Sequence, residues 1–535
     1  MARYPLRDLA LLLLGGLVAR VAAAVLVLFA PYTDAAYYTL AAHRLADGSG
    51  FTLPVLYSFL EVGGQLPADP RLPVDAFGHW MPLTSILGAA SMALLDTADS
   101  GGVLPMVLLG VAWVGITHGV TWDLWRNRSW AFVSGVLAIF AGPLLIMIPL
   151  LDSFMPFGVP AALALWASMR AVRSEGPSRW GWWLVGAGGL VGLATLARVD
   201  GLILAVAPAV AWWQRRRSVD WPIALGIGAA SALAALAVMA PWMARNLEVF
   251  GAVLPSAGGH TLWITSYNEQ FSIGHEVSMR SYLEAGPGLI IGSKVWALAE
   301  LAGRTLAVVG GVFALFFLGG MWVFRGRPEL RPFIAYWIVM FLAMGLLFTF
   351  HAPRGAFVHS APAWLPTAFA VGIAAVAPIC TSLGRWWRFL ARPQTHRFLI
   401  GASLAAAVIL SVVSSTALLA SWRVAADRLR SAATFLGMTV PRDEVVMFAD
   451  PARLNLLTGN PGVSAPFDPF AVIEEVVRAY DVRWVVVTLE PGETRDALGL
   501  WDGAAGVDSD GASPGFLPAE PAYEANGVRV YEVTP

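Results

Sequence analysis

Hydrophobic residues in this chain come in long blocks, without the two-residue or three-to-four-residue rhythm of a water-soluble fold. Eleven blocks approach the roughly 20 residues that a helix needs to cross ~30 Å of hydrocarbon. They lie at about 9–30, 103–124, 130–150, 153–169, 181–197, 200–214, 222–241, 305–324, 332–350, 359–380 and 398–420. Two of them, 153–169 and 200–214, are short for a span. A further apolar stretch, 81–95, is expected to form a helix lying on the membrane surface. Three intervals between the blocks are long: about 31–102, 242–304 and 421–535. In the last of these the long apolar runs stop. The pattern there reads helix (424–436), strand (445–448), helix (471–479), strand (484–488) and a final strand (528–533), a small α/β domain.

Charge in the short connections orients the blocks. Arg3 and Arg7 precede the first; Arg126 and Arg128 follow the second; Arg170, Arg173 and Arg179 follow the fourth. Arg215, Arg216 and Arg217 follow the sixth, Arg325, Arg327 and Arg331 the eighth, and Arg385, Arg388, Arg392 and Arg397 the tenth. The short odd-numbered connections carry only Arg198 and Arg354. This alternation is what positive-inside orientation requires of eleven spans with a cytoplasmic N-terminus. Counting 81–95 as a full span would place the basic loops from Arg126 onward outside. The first block, with 22 apolar residues, exceeds a signal-peptide core of about 7–15 and is read as retained. The fold expected is a polytopic α-helical membrane protein with about eleven transmembrane helices over residues 1–420, two large extracytoplasmic loops, and an extracytoplasmic α/β domain over 421–535.

Composition agrees. The 535 residues are 57% hydrophobic and 13% charged, against about a quarter charged in ordinary globular domains. The formal net charge is −1, and no basic patch with interleaved aromatics suggests nucleic acid. The single cysteine, Cys380, excludes an intramolecular disulfide framework. Neither a repeat nor a Gly-rich nucleotide fingerprint is present; Gly459-Asn460-Pro461-Gly462 reads as a turn.

The polar residues that membrane crossing does not require are the informative ones. Asp34 follows the first block in Tyr-Thr-Asp-Ala-Ala-Tyr-Tyr, and Asp152 lies between the third and fourth. Arg198 and Asp200 share the next outer turn; His79 opens the surface helix; Arg245 and Asn246 begin the second large loop; His351, Arg354 and His359 cluster between the ninth and tenth blocks. In the eleven-span topology all of these lie at the outer face. Arg20 alone is central, and an intramembrane arginine is expensive enough to need a polar partner. A transporter or flippase for a lipid-linked sugar would place its ionisable groups nearer the midplane, on interrupted helices. A membrane scaffold would leave the clustered acids and arginines unexplained.

Four segments carry a family resemblance: Asp34-x-x-Tyr37, Gly78-His79-x-x-Pro82-Leu83, Ala197-Arg198-x-Asp200-Gly201, and Pro241-Trp242-x-x-Arg245-Asn246 with Gly251 five residues on. In order and topology they resemble the GT-C membrane glycosyltransferases, in particular the bacterial branch akin to protein O-mannosyltransferases and the lipid A aminoarabinose transferase. The chain departs from the mannosyltransferase pattern in having a single acid, Asp34, in place of an Asp-Glu pair.

The resemblance implies sugar transfer, at the outer face of the cytoplasmic membrane, from a polyprenyl-phosphate-linked sugar to a glycan, lipid or protein acceptor. The residue types suit that chemistry. An acceptor hydroxyl must lose its proton as it attacks the anomeric carbon, and Asp34 is the candidate general base. The departing phosphate needs positive charge, for which Arg245, Arg354 and Lys294 (the one lysine among 35 basic residues) are the candidates. Asp152 is a second acid, and Asp34 with Asp152 could hold a divalent cation, Mg or Mn. Tyr37, His79, Arg198, Asp200, Asn246, His351 and His359 are the expected substrate contacts. Each also has a plainer role open to it: Asp34 and Asp152 as helix N-caps, Arg198 and Asp200 as a surface ion pair of little energetic value.

Overall fold

The computed structural model describes residues 4–97, 99–254, 259–274, 277–488, 515–518 and 520–533. The first helices are α1 (Leu6–Leu26), α2 (Thr33–Ala46), α3 (Leu83–Leu95), α4 (Leu104–Trp125) and α5 (Arg128–Ile139). Then come α6 (Phe154–Arg173), α7 (Pro177–Ala197), α8 (Val206–Arg215) and α9 (Trp221–Phe250). The second half has α10 (Pro287–Val309), α11 (Val312–Val323), α12 (Arg331–Leu346), α13 (Phe357–Leu383), α14 (Pro393–Thr439), α15 (Pro451–Thr458) and α16 (Phe470–Ala479).

Among the described residues, eight helices are long and apolar enough to cross a membrane, and nine if the bent pair α10–α11 is one span. The eleven predicted blocks fall on helical segments, but eleven unbroken spans are not found among the described residues: 305–324 is cut by the bend between α10 and α11, and two other blocks are also broken. In 130–150, α5 stops at Ile139 and only the short turn Leu144–Met147 follows. Twelve helical residues reach about 18 Å, too short to cross unaided. In 200–214, a 3₁₀ turn (Val199–Ala205) precedes the ten residues of α8.

The break after α5 explains the costly arginine of the first block. Arg20 is fully buried; its guanidinium donates to the Ala138 carbonyl at 3.0 Å and the Leu145 carbonyl at 3.1 Å. These acceptors flank the point where the α5 ladder ends, and a carbonyl unsatisfied in an apolar interior is expensive. Arg20 therefore serves the backbone.

The sequence also places 287–304 in an outer loop, whereas α10 begins at Pro287. Ser293, Lys294, Glu300 and Arg304 interrupt its apolar character and conceal it. The chain then turns by 107° into α11. Gly310 (φ 89°) and Gly311 (φ 63°) make that corner, a conformation which residues with a Cβ adopt only under strain.

Helix α14 runs for 47 residues, about 70 Å at 1.5 Å per residue. Its second half, expected as a separate helix over 424–436, continues unbroken and packs Leu429, Ala432, Ala433 and Leu436 against a sheet. That sheet contains β2 (Val55–Leu56), β4 (Val445–Phe448), β5 (Gly462–Ser464), β6 (Val482–Thr488), β7 (Tyr523–Ala525) and β8 (Val528–Glu532), in the order β2-β5-β4-β6-β8-β7. β2, β5, β4 and β6 run parallel, and β8 and β7 are added antiparallel. The edge strand β2 comes from the first large loop, with Val55 opposite Gly462 and Leu56 opposite Val463. A separate two-stranded pair, β1 (Thr52–Leu53) with β3 (Val74–Asp75), lies within that loop. Helix α16 covers the other face of the large sheet through Ile473, Val476 and Val477. The α/β domain and the first loop are thus one folded unit, seated over the end of the bundle where α2 and α3 lie.

Candidate functional site

Three helix ends meet beneath that unit. Helix α2 begins at Thr33, its N-cap is Tyr32 without a side-chain cap bond, and Asp34 stands in its first turn. Capping is therefore not what Asp34 does. Helix α6 has Ser153 as its N-cap, and Asp152 precedes it, fully buried. Helix α13 brings His359 and Ser360 in its first turn.

Asp34, Asp152 and His359 each direct one ligand-type atom to a common point, all within 4.8 Å of one another. His359 Nε2 lies 3.0 Å from Asp152 Oδ2 and 3.8 Å from Asp34 Oδ2. Its Nδ1 faces the Gly355 carbonyl at 3.0 Å, and its ring stacks on Phe154 at 4.0 Å. With an acceptor on Nδ1, Nε2 meets two carboxylates, a geometry satisfied by a proton on Nε2 or by a cation between the groups. Asp152 has its other partners in Tyr32, whose hydroxyl donates at 2.6 Å, and in the backbone N–H and hydroxyl of Ser153. Burial opposes its charge, but His359 and Tyr32 outweigh that and hold its carboxyl below the usual carboxylate range. Two carboxylates and an imidazole form a donor set suited to Mn²⁺ or Zn²⁺.

Beside this cluster, Arg198 Nε donates to Asp200 at 2.9 Å and Arg198 Nη1 to Ser153 Oγ at 3.3 Å. The Ser360 hydroxyl donates to the other oxygen of Asp200. The pair is largely buried, at 14% and 9% side-chain exposure, and is not the surface ion pair that was the plainer option.

All of this opens into one cavity of about 1220 Å³. Asp34, His79, Arg198, Asp200, His351, Arg354 and His359 line it. On the wall formed by the first loop, His79 faces His351 at 6.2 Å between rings. His351 Nε2 contacts the Gln270 amide oxygen at 3.3 Å. Burial, then the nearby His79 and Arg354, push the His351 imidazole down to about 3, so that it is neutral at physiological pH. The Arg354 guanidinium lies over the Tyr267 ring at 4.0 Å. Behind this wall Glu61, on the turn Phe59–Val62, has its carboxyl pushed up to about 8 by burial, with bonds from the Ser58 and Tyr57 backbone only partly offsetting it.

Four of the predicted contacts are placed elsewhere. The Tyr37 hydroxyl accepts the Phe77 backbone N–H at 2.7 Å, and its ring packs on Trp80 at 4.1 Å. Arg245 lies over Trp242 and Phe250, each at 4.9 Å, and 3.8 Å from Asp75. Asn246 is fully buried beside it. Lys294 donates to Thr349 Oγ1 at 2.6 Å and lies 5.2 Å from the Tyr282 ring centre. Conversely, Arg304, Asp450 and Arg453 line the cavity without having been singled out. Arg304 sits in the concealed helix α10. Asp450 and Arg453 lie at the start of α15, in a domain whose sequence bears no diagnostic motif.

The site is thus an acid-, histidine- and arginine-lined cavity under a small α/β domain, in a bundle of apolar helices. Two solved structures share this fold along nearly the whole chain, both of ArnT from Cupriavidus metallidurans. The one bound to undecaprenyl phosphate superposes with a TM-score of 0.58 at 13% identity, covering 98% of this chain and 97% of that chain. The apo state gives 0.55 at 13% identity, covering 96% and 97%. At such identity the likeness is one of fold. No family model matches the chain, and no curated protein matches it in sequence.

Proposed function

We propose that this protein transfers a sugar from a polyprenyl-phosphate donor to an acceptor hydroxyl, at the outer face of the cytoplasmic membrane. The observation that carries the reading is the convergence of Asp34, Arg198, Asp200, His351, Arg354 and His359 on one cavity, in a chain that shares its fold throughout with a protein solved with undecaprenyl phosphate bound. The alternating arginine loops support the outward orientation.

In this reading Asp34 accepts the proton of the acceptor hydroxyl as its oxygen attacks the anomeric carbon. The bond from that carbon to the phosphate oxygen breaks, the polyprenyl phosphate leaves, and a single displacement inverts the centre. Of the three cations offered by the sequence for the phosphate, Arg354 alone lines the cavity. We assign the phosphate to Arg354, with Arg198 and Arg304, which line the same cavity, able to supply further charge-assisted bonds. A divalent ion, if bound, would be held by Asp34, Asp152 and His359 and would supply charge neutralisation. Asp152 otherwise orients His359 beside Asp34.

The test is incubation of purified protein with a panel of polyprenyl-phosphate sugars, with products read by mass spectrometry. Consumption of one donor with release of polyprenyl phosphate is expected. A protein that consumes none of them and does not bind undecaprenyl phosphate would overturn the reading.

A further inference from the structure

Asp450 is a buried carboxylate that the mechanism above does not use. It is 6% exposed. One oxygen, Oδ2, accepts the Thr33 hydroxyl at 2.6 Å, which fixes the carboxylate next to the residue that precedes Asp34. The other, Oδ1, is buried and has no hydrogen-bond partner among the described residues. Asp450 occupies the N-cap of α15, where an aspartate ordinarily bonds the first-turn N–H groups, yet it makes no side-chain cap bond. Its side chain instead bonds Thr33, and the residue lines the cavity that Asp34 also lines. A buried acceptor left without a donor costs stability, so a native fold that keeps one in a residue at a cavity wall leaves room for a ligand that donates to it when the wall opens slightly.

Three residues on, Arg453 lines the same cavity, and its Nε is likewise buried without a partner among the described residues. The two residues bring an acceptor and a donor to the cavity from the start of α15, on the side that carries Thr33.

We propose that Asp450 and Arg453 form the acceptor subsite of the transferase, and that the acceptor presents a neutral, hydroxyl-rich group to it. The inference rests on the transferase reading and deepens it. The chemistry selects the class. A hydroxyl-bearing ring or chain donates to Asp450 Oδ1 while its own oxygens accept from Arg453. An anionic group offers Asp450 no proton and would set its charge against the Asp450 carboxylate, whereas the arginines that suit an anion, Arg354, Arg198 and Arg304, are taken by the donor phosphate. The α/β domain thereby takes part in the reaction: it delivers the attacking hydroxyl to Asp34.

The test uses the full-length protein in lipid nanodiscs, with the undecaprenyl-phosphate sugar that it consumes as donor and two acceptor panels: methyl glycosides with neutral disaccharides, and phosphorylated lipids. The parent should use the neutral panel. Asp450→Asn should raise the acceptor KM about ten- to a hundredfold, the effect of losing a hydrogen bond to a charged group, with the donor KM changed less than twofold. Arg453→Gln, at a position less buried than Asp450, should move the acceptor KM the same way. An unchanged acceptor KM in both variants, an equal rise in the donor KM, or a parent that prefers the phosphorylated lipids would each overturn the proposal. A parent that turns over no donor defeats the transferase reading instead. Binding of methyl glycosides by saturation-transfer NMR then decides Asp450 separately: weaker binding in Asp450→Asn upholds the subsite, and equal binding overturns it.

Discussion

Asp34→Asn separates a catalytic base from a structural carboxylate. The Asp34 side chain is 29% exposed, and His359 Nε2 lies 3.8 Å away, an interaction worth up to about 1 kcal/mol at a partly solvated site. Its first-turn position on α2 adds a favourable interaction with the helix dipole of about 0.3–1 kcal/mol. Because Tyr32 holds the N-cap, no cap is lost. The variant should therefore unfold within about 2 kcal/mol of the parent, the sum of those two terms. Loss of a positioned base lowers turnover about 10²–10⁴-fold, or roughly 2.7–5.5 kcal/mol of barrier at 1.36 kcal/mol per decade. The catalytic loss exceeds the structural one, so the two are separable. The assay is release of undecaprenyl phosphate, followed by mass spectrometry, beside thermal unfolding and undecaprenyl phosphate binding on the same preparation. Turnover within tenfold of the parent refutes the assignment. The base would then be sought at Asp200 or Asp450, since Asp152 is fully buried and already bonded to Tyr32, Ser153 and His359.

Arg354→Ala should weaken undecaprenyl phosphate binding at least about tenfold, as expected for one charge-assisted bond, whereas Arg245→Ala should leave it within about threefold; equal weakening by native mass spectrometry would place the phosphate elsewhere. Dialysis against a chelator should lower turnover, Mn²⁺ should restore it, and Asp152→Asn should bind less Mn²⁺ by electron paramagnetic resonance; unaltered turnover together with unaltered metal content argues against the ion. Glu61 carries its proton to about pH 8 in the folded chain but only to about pH 4.3 when unfolded. Its contribution to stability is thus complete below the unfolded value and is lost as pH rises through the folded one. The melting temperature of the parent should accordingly fall relative to Glu61→Gln between about pH 5 and 9, and parallel curves would show that the carboxyl is not held protonated.

Much of the candidate site could be read in advance because polar residues stand out where solvent demands hydrocarbon. Asp34, Arg198, Asp200, His79, His351, Arg354 and His359 are departures from that rule at block ends, and all line the cavity. Arg245 and Lys294 are departures too, but their helices turn them toward Trp242 and Thr349. Position along a chain tells how deep a side chain lies in the membrane, while the rotation of its helix depends on neighbours hundreds of residues away. Asp450 and Arg453 escaped notice for a different reason: in a polar domain an acid and an arginine are ordinary.

The sequence by itself determined that the chain is a polytopic helical membrane protein and where most of its apolar helices lie. A helix crossing hydrocarbon must satisfy its own backbone and cover itself with apolar side chains, and both demands are local. The strands 445–448, 484–488 and 528–533 were equally legible, since each is a short β-branched or aromatic run bounded by turns. Tertiary structure alone decided the rest. The two-residue strand β2 has no period to read and forms only because β5 presents an open edge 400 residues later. The broken helix α5 is tolerated because Arg20 reaches Ala138 and Leu145. Thr33 meets Asp450 across 417 residues, and this contact places the α/β domain beside Asp34. Such pairings are settled by packing between distant segments, whose partners no local pattern records.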